Sequence, residues 1–89
     1  MTQFLLSILG EASPSLTESI SQNIAPRDVV QLHDNVWLIA FDGSAKDLAE
    51  RLGIEDGSSG QYLIASMKGV NGFVPQTVIQ WIDEHDRRQ

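Results

Sequence analysis

The chain has 89 residues, of which 42% are hydrophobic, enough for one modest core and no second. It has no cysteine, which excludes disulfides, thiolate metal sites and thiol catalysis; its longest apolar run, Val36 to Phe41, is far short of the ~20 residues a membrane helix needs. Twelve acidic residues against six basic ones give a net charge of −6, and Arg27, Lys46, Arg51 and Lys68 are scattered, so direct binding of nucleic acid is disfavoured.

The first element is an apolar run, Phe4, Leu5, Leu6, Ile8 and Leu9, closed by Gly10; it reads as a buried, central strand. No basic residue precedes it, so no signal peptide is expected and a cytoplasmic location is the default. A helix begins next, either with Ser13 as cap and Pro14 in first position or with Ser15 and Glu18 as a capping box. Leu16, Ile20 and Ile24 lay one apolar stripe along it, and Pro26 stops it. Val29, Val30 and Leu32 make a second strand and Val36 to Phe41 a third. The polar break His33-Asp34-Asn35 between them predicts an antiparallel hairpin, with Asp34 and Asn35 suited to the left-handed backbone of a two-residue turn.

Ser44 opens a second helix as its cap, with Asp47 placed to complement the helix dipole. Ala45, Leu48, Ala49 and Leu52 form its apolar face. Gly53 supplies a left-handed end, and Ile54 folds back as the apolar half of a Schellman cap. The segment 55–60, Glu-Asp-Gly-Ser-Ser-Gly, is expected to be a mobile loop. Tyr62 to Met67 reads as a fourth strand. An irregular connection with Gly69 and Gly72 leads to Pro75, which starts a last helix through about His85. Val78, Ile79 and Ile82 form its core face, Trp81 flanks it, and 86–89 is a short charged tail.

The order strand, helix, strand, strand, helix, strand, helix predicts an α+β fold over the whole chain as one domain. It is the ferredoxin-like βαββαβ plan, a four-stranded antiparallel sheet with two helices on one face, plus a C-terminal helix across an edge or the open face. The stretch Asn35-Val36-Trp37-Leu38-Ile39, the short helix Ser44 to Leu52, and Tyr62 to Met67 followed by Val78 to Ile82 with Trp81 carry a resemblance. In order of elements and local texture the chain resembles the small ferredoxin-like proteins that group with the CRISPR spacer-integration subunit, VapD-type ribonucleases and SinR-like proteins. The resemblance implies the fold and dimerisation. Nuclease members of that group carry an aspartate at the end of the first strand, where two protomers hold a divalent metal. Here the stretch reads Ser7-Ile8-Leu9-Gly10-Glu11, without that aspartate, so the activity is not carried across.

No catalytic, metal or cofactor site is expected. His33-Asp34 reads as turn chemistry, His85 as a helix-end residue, and the carboxylates Glu50, Glu55, Asp56, Asp83, Glu84 and Asp86 as a solvated surface. The loop Lys68 to Val74 lacks the spacing of a phosphate loop. Two functions remain open. One is a non-enzymatic interaction protein, self-associating through its sheet or closing helix, with Trp37, Phe73 and Trp81 as candidate interface residues. The other is a metal-dependent nuclease of the resembled group, with an acidic inhibitor of a nucleic-acid-handling protein as a variant of the interaction reading. A homodimer or a protein partner is expected, with no membrane.

Overall fold

A computed structural model describes residues 1–11, 13–58 and 60–86. Eight segments follow in chain order: β1 (Thr2–Leu9), α1 (Pro14–Asn23), a 3₁₀ turn (Pro26–Asp28), β2 (Val29–His33), β3 (Val36–Phe41), α2 (Ala45–Leu52), β4 (Gln61–Ser66) and α3 (Gln76–Asp86). The strands form one antiparallel sheet in the order β2-β3-β1-β4, the arrangement of the expected ferredoxin-like plan. β1 is central, as its apolar run requires: Phe4 lies opposite Ile39 on one side and Ser66 on the other.

Alternation sorts each strand between two faces. Phe4, Leu6 and Ile8 of β1 and Trp37 and Ile39 of β3 meet Leu16, Ile20 and Ile24 from the first helical segment, and Leu48, Ala49, Leu52 and Ile54 from the second, in one buried cluster. Both crossing helices therefore cover the same face. The Ser19 hydroxyl donates to the Leu52 carbonyl at 2.8 Å and joins the two helices.

The helix ends are set by local chemistry. Ser13 rather than Ser15 caps α1, its hydroxyl accepting from the Leu16 amide at 3.3 Å. At α2 the Ser44 hydroxyl accepts from the Asp47 amide at 3.1 Å, while the Asp47 carboxylate accepts from the Ser44 amide at 3.0 Å, closing a reciprocal box. Gly53 ends the helix at φ 73°, and the Ile54 amide donates back to the Ala49 carbonyl at 3.0 Å, placing Ile54 in the core. Gly43 is required for a different reason: a β-carbon there would lie 2.8 Å from the Phe41 ring.

The hairpin turns at Asp34 and Asn35 as expected, but its conformation differs. Among the described residues no residue other than glycine has a positive φ. The register shift between Gln31 and His33 supplies the extra twist that a left-handed turn would have given. The Asn35 side chain then donates to the carbonyls of Ile8 at 2.9 Å and Gly10 at 3.1 Å, pinning the turn to the end of β1.

The segment expected as a loop holds two successive turns, Gly57 donating to the Ile54 carbonyl and Gly60 to the Gly57 carbonyl, each at 3.0 Å; Ser59 lies outside the described residues. α3 continues through Asp86, one residue into the stretch expected as tail, and 87–89 lie outside the described residues. Among those described, no helix is long and apolar enough to cross a membrane.

Candidate interaction surface

The second face of the sheet is only half covered. Its residues are Gln3, Leu5, Ser7 and Leu9 of β1, Leu38 and Ala40 of β3, and Leu63 and Ala65 of β4. α3 lies over the side toward β2 and β3. Leu38, Ala40 and Val78 are buried there, whereas Leu9 and Leu63, toward β4, remain 60% and 59% exposed.

Among the described residues, polar contacts from Gln3, Trp81 and His85 fasten the second half of α3. The Gln3 amide nitrogen, buried on β1, donates to the Ile82 carbonyl at 3.1 Å and to the Asp86 carboxylate at 2.6 Å. The Trp81 indole donates to the Arg27 carbonyl at 2.9 Å. His85, also buried, stacks on Trp81 with ring centroids 4.0 Å apart. Its Nδ1 lies 2.7 Å from the Trp81 carbonyl and its Nε2 3.2 Å from Asp28 Oδ1. The carbonyl can only accept, so Nδ1 carries a hydrogen. The 3₁₀ turn and α3 thus close on each other through the buried contact between His85 and Asp28.

The N-terminal end of α3 leaves a groove of about 400 Å³ between the helix, the sheet and the 68–74 loop. Leu5, Leu32 and Leu38 form its floor, Met67 and Val70 one wall, and Val78, Ile79 and Ile82 the other. Asn71 and Asp83 are the polar groups on its rim. Val70, Val74 and Ile79 are partly exposed, and Phe73 beside them is wholly exposed.

The three aromatic candidates separate. Trp37 is buried at 3% exposure in the core beneath α1 and α2, because its position on β3 has the parity of Ile39; it has no surface to offer a partner. Trp81 is half-buried and engaged within the chain. Phe73 alone is free at the surface. Sequence reasoning missed Gln3, Asp28 and Leu63. The first two are polar residues in contact with residues 57 or more positions away, which no local pattern signals.

Glu11, His33 and Asp34 surround one shallow depression with Gly10 and Asn35, and all three are exposed. Among the described residues no group of three His, Asp or Glu is placed to hold a metal ion. At the turn before β4 the Ser58 amide donates to Asp56 Oδ1 at 2.9 Å, and this bond holds the Asp56 carboxyl below the usual carboxylate range. Comparison of the chain with protein-family models, with curated proteins and with solved structures finds no match.

Proposed function

We propose that this chain is a non-enzymatic interaction protein that self-associates as a homodimer through the bare, β4 side of its sheet. The observation that supports this is the pair of exposed leucines, Leu9 and Leu63, on the β1–β4 side, continuous with a half-buried Leu5 and the groove under α3. Small soluble domains seldom leave contiguous apolar surface in water, and such patches mark interfaces.

Sedimentation equilibrium from micromolar to millimolar protein tests this reading. The expected result is a concentration-dependent rise to twice the chain mass, abolished in Leu63→Asp, which places a charge on the bare strip. A single-chain mass at millimolar concentration overturns it.

A further inference from the structure

We infer that two copies join edge to edge, β4 against β4 in antiparallel orientation, to make one continuous sheet. The inference rests on the self-association proposed above and specifies its geometry.

The two edges of the sheet differ. β2 carries the register shift at Gln31–His33 and is packed by the 3₁₀ turn and α3. Bulges and covering elements are devices by which edges avoid further pairing. β4 is packed by α2, but on the core face, where Tyr62 and Ile64 meet the buried cluster, and among the described residues it carries no bulge. Its six residues, Gln61–Ser66, pair with β1 in unbroken register and include no charge and no proline.

The ladder shows which groups β4 presents outward. The Met67 amide donates to the Gln3 carbonyl at 2.9 Å, and on the far side of β1 the Ile8 amide donates to the Asn35 carbonyl at 2.9 Å. Antiparallel bonding alternates along a strand. Odd-numbered residues of β4 therefore bond to β1, and Tyr62, Ile64 and Ser66 direct their N–H and C=O groups away from the sheet.

That row fits a second copy of itself. A two-fold axis normal to the sheet keeps the open faces of both copies on one side, and the pleat then requires one residue to lie opposite its own copy. An axis at Ile64 engages the whole row. Ile64 pairs with Ile64 of the second copy and Tyr62 with its Ser66, reciprocally, so that three pairs exchange two hydrogen bonds each. An axis at Leu63 or Ala65 engages only two of the three residues within the strand. With the axis at Ile64, the larger Leu63 also lies opposite the smaller Ala65 across the joint, so that each Leu63 is partly covered by the second copy.

Charge favours the same occupant. Two chains of net charge −6 repel, and this uncharged edge is where they can approach. Glu55 and Asp56 precede β4 and Lys68 follows it, so antiparallel pairing sets Lys68 of each copy toward the acidic turn of the other. This opposition of sign occurs twice, and it fixes direction as well as contact.

Amide hydrogen exchange of the full chain, below and above the dimerisation concentration, tests the geometry. Tyr62, Ile64 and Ser66 are expected to gain protection out of proportion to Leu63 and Ala65, which already bond to β1. Ser66→Pro removes an outward N–H without breaking a bond to β1 and is expected to weaken the dimer roughly tenfold or more. A dimer that Ser66→Pro leaves intact, with those three amides still exchanging freely, overturns edge pairing and leaves face-to-face self-association standing. A monomer at every concentration overturns both.

Discussion

On β3 the side chain of Trp37 turns toward α1 and α2 and is buried, while Phe73, in the irregular loop, touches solvent on every side. Both are aromatic residues in apolar surroundings in the sequence, and composition does not separate them. The separation comes from strand parity: Val36, Leu38 and Ala40 are as apolar as Trp37, Ile39 and Phe41, so either set could face the helices. Only assembled packing decides. Trp37→Ala is expected to cost about 3–5 kcal/mol, as for other buried aromatics, and Phe73→Ser to change stability by less than about 0.5 kcal/mol. Urea denaturation of the two variants checks this; comparable losses would mean that Phe73 is packed in solution.

At the scale of the element, α2 was legible in the sequence almost residue by residue, because its signals are local: Ser44 and Asp47 at one end, Gly53 and Ile54 at the other. The hairpin was legible in place but not in conformation, since the register shift at Gln31–His33 carries the twist that Asp34 and Asn35 were expected to supply. The capping box has a pH consequence. Bonds from Ser44 hold the Asp47 carboxyl below its ordinary value of 3.8. The ionised form is the one favoured in the fold, so its stabilising effect is complete above the ordinary value and is lost as pH falls through the lowered one. Wild type is therefore expected to exceed Asp47→Ala in urea midpoint at neutral pH, with the difference shrinking as pH drops below 3.8. A difference that stays constant down to pH ~2 would remove the carboxylate from this account.

For the molecule as a whole, the sequence supplied the order of elements and hence the sheet, but not the way α3 docks. That docking depends on Gln3 with Ile82 and Asp28 with His85, pairs brought together only by the completed fold. The candidate surface was hidden for the same reason: which leucines remain bare depends on where α3 stops. The two tryptophans report on the two sides of the sheet, Trp37 beneath the crossing helices and Trp81 on α3. One sheet shared by both layers predicts one cooperative transition. The single-tryptophan variants Trp37→Phe and Trp81→Phe are expected to give coincident fluorescence transitions in urea; an earlier transition at Trp81 would show α3 detaching on its own.

The position of β1 in the middle of the sheet also governs how the protein is made. β1 is synthesised before its neighbours, yet it pairs with residues as distant as Phe4 with Ser66. At translation rates of about 5–20 residues per second, several seconds separate its appearance from that of β4. Throughout that interval this central, apolar strand has at most one partner, and both hydrogen-bonding rows are filled only after β4 emerges. Pairings this remote in sequence also slow refolding from denaturant. The nascent chain is therefore at greatest risk of capture by a chaperone, or by another nascent chain, while β1 waits for its last partner.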